Sequence, residues 1–166
     1  GDTACFRKLV ERHQAAAVNL AFRMLRSRSD AEEVAQDAFV RAWKALPEFR
    51  GESRFSTWLH RIVVRRALDR AERLKVRARR ETDLEALADP VDEAAPDPNA
   101  SLEARRLARL LETLNERERT AITLYYHHDR SVEDVAGVLE VPSGTVKTLL
   151  SRARAKLRAR LEGKSE

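Results

Sequence analysis

The chain has 166 residues, 43% of them hydrophobic and 36% charged, with a net charge of +5. Only five Gly and five Pro interrupt it, a composition that favours long helices in one domain or two small ones. No apolar run approaches the roughly 20 residues of a membrane span, and a single cysteine, Cys5, excludes an internal disulfide or a Cys-rich zinc site. Cys5 itself reads as a buried apolar residue. The four His show no metal-ligand spacing, so neither a metal nor a cofactor is expected. The chain opens at Gly1 rather than Met, which fits a trimmed chain, and no signal peptide is legible, so a cytoplasmic location is expected.

Residues 4–26 read as a first helix, with Phe6, Leu9, Val10, His13, Ala17, Leu20, Ala21, Met24 and Leu25 recurring at three and four. Ser27 to Ser29 break it, and Asp30 is suited to cap the next helix, which runs to about Leu46. Ala31, Val34, Ala35, Ala38, Phe39, Ala42, Trp43 and Leu46 form its buried stripe, and Pro47 and Gly51 close it. Glu33, Gln36, Asp37 and Arg41 project from the opposite side. Such a face is either plain solvated surface or a docking face for a basic protein partner.

From Ser53 to about Arg80 no Gly or Pro intervenes. Phe55, Trp58, Leu59, Ile62 and Val63 point inward. Arg54, Arg61, Arg65, Arg66, Arg70, Arg73, Lys75, Arg77, Arg79 and Arg80 face only three acids, Glu52, Asp69 and Glu72, a density that suggests phosphate contacts. Arg54-Phe55-Ser56-Thr57-Trp58 mixes aromatics with a cation and hydroxyls, which can support unstacked single-stranded bases. Phe55 and Trp58 also fit the core stripe, and both readings stand.

Glu81 to Ala100 holds seven acids and no Lys or Arg, leaving the rest of the chain at +12. Basic blocks on either side of an acidic connector suggest two polyanion-binding surfaces. With Pro90, Pro96 and Pro98 inside it, this stretch reads as a flexible or extended linker. The expected organisation is all-α: a first helical domain over 1–80, an acidic linker over 81–100, and a helix-turn-helix domain over 101–166.

In the second domain Ser101 is placed to cap a helix carrying Leu102, Leu107, Leu110, Leu111 and Leu114. Asn115 with Glu118 three residues later forms a capping box for the next, with Ala121, Ile122, Leu124 and Tyr125 inward. Ser131 to Leu157 then reads as two helices joined by a tight break. Ser131 and Asp134 are close to a second capping box, and Val132, Val135, Ala136 and Leu139 follow at helical spacing. Val141-Pro142 breaks the pattern because Pro disfavours helix for the residue before it. Glu140 stands where such turns often carry a left-handed Gly, at a cost on the order of 1 kcal/mol. Ser143 is placed to cap the last helix. Its stripe is Val146, Leu149, Leu150, Ala153 and Leu157, while Thr145, Lys147, Thr148, Ser151, Arg152 and Arg154 fall outside it. That is the pattern of a helix-turn-helix presenting a polar, cationic face to a major groove.

With these residues in view, the chain resembles the RNA polymerase sigma factors of the extracytoplasmic-function class, over nearly its whole length. Asp30 to Phe39 is similar to the family's polymerase-docking segment, and Arg54 to Ile62 to its promoter-melting segment. Leu114 to Arg119 and Val141 to Lys147 are similar to its second-domain segments. The resemblance implies a transcription initiation factor that binds core RNA polymerase and directs it to promoters. Asp30, Glu33, Gln36, Asp37 and Arg41 would dock on the clamp coiled coil, the polymerase flap being a further contact. Arg54, Ser56, Arg61, Arg65, Arg66, Asp69, Arg70 and Arg73 would serve the minus-ten element, and Thr145, Lys147, Thr148, Ser151, Arg152 and Arg154 the minus-thirty-five element. It also implies an anti-sigma partner, and a loop near Val64 to Asp69 that would hold a flipped base. The chain departs from the family at Arg65, where an Asn is common, and this bears on which base is captured. No Ser/His/Asp grouping, paired carboxylates or phosphate-binding Gly loop points to an enzyme. The other readings of the residues are a stand-alone helix-turn-helix regulator and a helical nucleic-acid-processing enzyme.

Overall fold

The computed structural model describes residues 3–84 and 102–163, and every regular element among them is helical. The chain divides into two units, Gly1–Val91 and Asp92–Glu166.

In the first unit α1 (Thr3–Leu25), α2 (Arg28–Ala45) and α3 (Phe55–Leu84) each pack on the other two. Helix α2 lies with its stripe inward: Ala31, Val34, Ala35, Ala38, Phe39 and Ala42 are all buried. Ala17, Leu20 and Ala21 meet it from α1, and Leu59, Val63, Val64 and Ala67 from α3. The many alanines have no side chain to hold neighbouring helices apart. Phe55, Trp58 and Ile62 lie at the margin, half-buried. Cys5 is exposed rather than buried, because it lies in the first turn of α1, ahead of the residues that pack.

Three boundaries differ from expectation. Ser27, not Asp30, caps α2, accepting from the Asp30 N–H at 3.3 Å. Arg26, left-handed at φ 64°, makes the break one turn earlier, so Asp30 falls inside the helix with its carboxylate available to another element. Helix α3 runs unbroken through Val64 to Asp69, where the resemblance implied a loop. No Gly or Pro interrupts it there, and Val64 and Ala67 are pinned in the core. It continues to Leu84, past the expected start of the linker at residue 81. The remainder of that stretch, and the expected cap at Ser101, lie outside the described residues. Beyond α2 a 3-10 turn (Leu46–Glu48) and Gly51 at φ 72° redirect the chain into α3.

The second unit holds α4 (Leu102–Leu111), α5 (Glu116–Ile122), a π turn (Thr123–His127), α6 (Val132–Leu139) and α7 (Ser143–Glu162). Helix α7 is the spine on which α4, α5 and α6 pack. Its stripe of Val146, Leu150 and Ala153 is buried together with Leu111, Leu114, Ala121, Ile122, Leu124, Val135 and Val138. Of the leucines that the sequence places on α4, Leu102 and Leu107 stand exposed, while Leu111 at its C-terminal end is buried. The Asn115–Glu118 capping box forms with both hydrogen bonds. A π turn is a one-turn insertion into a helix, and here it carries α5 on into Tyr125 and Tyr126.

Candidate nucleic-acid and partner interfaces

The helix-turn-helix begins at Ser131, whose hydroxyl accepts from the Asp134 N–H at 3.0 Å. Helix α6 ends on Glu140 in the left-handed conformation, φ 55° and ψ 44°. The Glu140 N–H bonds back to the Ala136 carbonyl, and so does that of Val141. Ser143 does not cap α7. Pro142 occupies that position without a side-chain bond, and its carbonyl accepts from Thr145 and Val146. The N–H groups of Thr145 and Val146 are thus satisfied by a backbone carbonyl rather than a capping side chain, with the proline φ already set for the turn.

Thr145, Lys147, Thr148, Ser151, Arg152 and Arg154 are all exposed on α7 while Val146, Leu150 and Ala153 are buried. Two of the six bond to their own helix: the Thr148 hydroxyl donates to the Gly144 carbonyl at 3.0 Å, and Arg154 Nε to the Leu150 carbonyl at 3.2 Å. Lys156, which the sequence did not single out, pairs with Glu118 at 2.7 and 2.9 Å. Glu118 is a buried carboxylate that also accepts from the Asn115 N–H. A carboxylate in a capping box, one helix away from a cationic helix, is the signal that could have found this pair.

The α2–α3 face joins two groups of residues that the sequence assigned to separate surfaces. Arg70 donates to Asp30 at 2.8 Å through Nε and lies 3.3 Å from Glu33. Arg66 reaches Asp37 on α2 and, at 2.8 Å, Asp69 on its own helix. Arg41 closes on Asp37 from the other side at 2.9 Å. Burial raises the Asp30 carboxyl, but hydrogen bonds from Ser27 and Arg70 and the Arg70 charge outweigh it and hold the group below its ordinary value. Burial likewise opposes Arg41 and Arg66 at Asp37, and the two arginines prevail. Access differs along the row: the side chain of Asp30 is 15% exposed, that of Asp37 37% and that of Glu33 66%. Gln36 is exposed. Acids at 30, 33 and 37 facing arginines at 66 and 70 have matching helical spacing, a complementarity legible only once the two helices are known to pack.

At the start of α3, Phe55 and Trp58 stack with each other at 5.6 Å between ring centroids. Phe49 adds contacts of 6.1 and 4.9 Å, and His13 meets Phe55 at 5.5 Å. These rings are half-buried, so each packs on one side and keeps an open edge on the other. Arg54, Arg65, Asp69 and Arg73 are exposed, and Ser56 and Arg61 are partly so. A groove of about 410 Å³ between α1 and α2 is lined by Phe6, Val10, Val18, Phe39, Val40 and Trp43, with Gln36 and Glu32 on its margin. Among the described residues no group of three or more His, Cys, Asp or Glu is arranged to hold a metal ion, and no helix is long and apolar enough to cross a membrane.

Comparison with known proteins accounts for both units. Residues 9–77 match Sigma-70 region 2, and residues 104–157 match Sigma-70, region 4. The RNA polymerase sigma-H factor of Pseudomonas aeruginosa is 34% identical, covering 93% of this chain and 84% of that protein. The ECF RNA polymerase sigma-E factor of Escherichia coli is 36% identical over 93% of this chain and 85% of its own length. Among solved structures, CnrH in complex with the cytosolic domain of CnrY is 30% identical, covers 99% of this chain and 92% of that one, and superposes with a TM-score of 0.73. RpoE of Bartonella quintana, solved with the anti-sigma factor NepR, has the same fold at 24% identity, over 96% of this chain and 98% of that one, with a TM-score of 0.75. Two sigma-70 regions in order, with identity above 30% sustained along the chain, place the protein in the extracytoplasmic-function class of the sigma-70 family, the factors that bind core RNA polymerase and direct it to specific promoters.

Proposed function

We propose that the chain divides this task among three faces. Helix α2 docks on the clamp coiled coil of the polymerase through Glu33, Gln36, Asp37 and Arg41, with Asp30 acting from behind them as a support. The start and outer side of α3 serve the minus-ten element through Arg54, Ser56, Arg61, Arg65 and Arg73, together with the open edges of Phe55 and Trp58. Arg66, Asp69 and Arg70 border that face from the α2 side. Helix α7 reads the minus-thirty-five element through Thr145, Lys147, Thr148, Ser151, Arg152 and Arg154, and the second unit also meets the polymerase flap. The chain contributes no catalysis of its own, and the polymerase supplies the chemistry.

The observation that carries this reading is the two-sidedness of α7. Its buried stripe fixes the helix on α4, α5 and α6, and its exposed side offers hydroxyls and cations that match base edges and phosphates in a major groove. The groove between α1 and α2 supports a further partner, an anti-sigma protein laying an apolar helix face against Phe39, Val40 and Trp43. CnrH was solved in complex with the cytosolic domain of CnrY, and RpoE of Bartonella quintana with the anti-sigma factor NepR.

The test is co-elution with bacterial core RNA polymerase on a sizing column at moderate salt. The expected result is a complex that Glu33→Arg weakens and Asp37→Arg abolishes, while Arg152→Ala leaves it intact and impairs only promoter recognition. Equal loss of docking in the Asp37 and Arg152 variants would overturn the division of faces. Recovery of the chain from its host only free or on polymerase would remove the anti-sigma partner.

A further inference from the structure

The α2–α3 face carries an arginine with two possible employers. Arg66 bridges Asp37, on the docking helix, and Asp69, on its own helix, and its side chain is only 20% exposed. Asp37 is shared in turn with Arg41. A guanidinium between two carboxylates presents little net positive field to a phosphate. Yet on the same helix Arg65 and Arg73 are exposed. Arg70 is tied more deeply, since Asp30 is nearly enclosed by Ser27 and Arg70. Asp37 is more than twice as accessible as Asp30, so a cation from outside can reach Asp37 and compete for it.

We infer that Arg66 is a coupling residue: in the free chain Asp37 holds it away from nucleic acid, and a cationic partner that takes Asp37 releases it to a phosphate. The reasoning rests on α2 being the docking helix. Its physical content is an exchange of counterions in which one carboxylate passes from an internal to an external cation and one guanidinium passes from a carboxylate to a phosphate. One internal ion pair is broken and two external ones form, so the loss is offset, and the exchange makes docking and promoter contact mutually reinforcing as linkage requires. The free chain would accordingly bind nucleic acid more weakly than its cation content predicts.

The experiment uses the full chain without polymerase, so it is independent of whether α2 docks as proposed. Binding to a labelled single-stranded oligonucleotide is measured by anisotropy across a salt series. Asp37→Asn imitates loss of the carboxylate charge to a partner. Each extra phosphate contact steepens the slope of log affinity against log salt by about 0.7, which extrapolates to roughly fivefold tighter binding at 0.1 M relative to 1 M. Asp37→Asn should show that gain, and adding Arg66→Gln should cancel it. Asp69→Asn, which loosens Arg66 from its other side, should give a smaller gain in the same direction. Glu11→Gln, the same change of charge at an exposed position on α1, controls for net charge. A gain in Asp37→Asn no larger than in Glu11→Gln, or one that survives Arg66→Gln, would overturn the coupling. Failure of wild-type chain to co-elute with polymerase, with the Asp37–Arg66 effect intact, would instead overturn only the docking assignment.

Discussion

Two helices of this protein carry dense rows of cations, and the structure treats them in opposite ways. On α3, Arg66 and Arg70 are drawn into carboxylates of α2 and serve as struts between helices. On α7, Lys147 and Arg152 stand in solvent, with no ion pair holding either among the described residues. The same residue types at similar helical spacing are structural in one unit and available in the other. What decides is the neighbour: α2 presents acids at matching intervals to α3, whereas the elements that pack on α7 meet it through Val146, Leu150 and Ala153. Charge density along a helix therefore measures potential binding, and the geometry of the counterions decides how much is realised.

The comparison is sharpest at Lys156, a cation on α7 that behaves like those of α3. The Glu118 side chain is 3% exposed and depends on Lys156, itself 45% exposed, for its charge partner. Lys156→Ala would leave a buried carboxylate held by one backbone N–H. Removing a partner from a fully buried pair costs about 3–5 kcal/mol. The half-exposed Lys156 site is reached by solvent, so about 2–3 kcal/mol is expected, read as a fall in the thermal midpoint. A loss below about 0.5 kcal/mol would mean that Lys156 is as free of structural duty as Arg152. Arg152→Ala itself should leave stability within about 0.5 kcal/mol of wild type. In the polymerase complex it should cost about 1–3 kcal/mol of discrimination between promoter and mismatched sequence. A uniform loss across all sequences would instead make Arg152 a phosphate contact.

Local features were legible because their causes are local. The α2 stripe follows from residues three and four apart, the Asn115 capping box from two residues three apart, and the left-handed Glu140 from its place in a tight turn. The contacts that assign roles span the chain: 40 residues separate Asp30 from Arg70, 29 separate Asp37 from Arg66, and 38 separate Glu118 from Lys156. No periodicity announces them. The cap of α2 was misplaced for a related reason, since Ser27 and Asp30 are both good caps and only the bond to Arg70 explains why Asp30 serves elsewhere. The break in α3 was implied by resemblance alone, and the residues favoured the continuous helix that forms. Leu102 and Leu107 show the limit of an apolar stripe, which marks a face able to bury without showing what covers it.

How firmly α7 is aimed depends on the turn before it, and this gives a smaller expected effect. Glu140 at φ 55° bears a left-handed strain of about 1–2 kcal/mol. Replacing it by Gly relieves that strain but adds freedom to the unfolded chain, worth about 0.4–1 kcal/mol. Glu140→Gly should therefore raise stability by a net of about 0.5–1 kcal/mol, with α7 still presenting its cations and promoter binding unchanged. Loss of promoter binding in a stabilised variant would show that the Glu140 side chain takes part in recognition.

The smallest effect is a dependence on pH confined to the first unit. Against the opposing effect of burial, Asp30 and Asp37 titrate below the ordinary aspartate value of 3.8 in the folded chain, because hydrogen bonds from Ser27 and Arg70 at Asp30, and from Arg41 and Arg66 at Asp37, favour the charged form. Their stabilisation is complete above 3.8 and is lost as pH falls through the lower folded values. Both tryptophans, Trp43 and Trp58, belong to the first unit, so tryptophan fluorescence follows its unfolding alone. Between pH 7 and 5 the α2–α3 pairs should contribute a constant amount to that midpoint. Below pH 4 their loss should make wild type fall more steeply than Asp37→Asn, which has already given up one of the two carboxylates. Parallel curves for the two proteins would mean that the pairing of Asp37 with Arg66 and Arg41 adds nothing to the fold. The arginines of α3 would then be as available as those of α7, and the difference between the two helices would be one of position without energetic consequence.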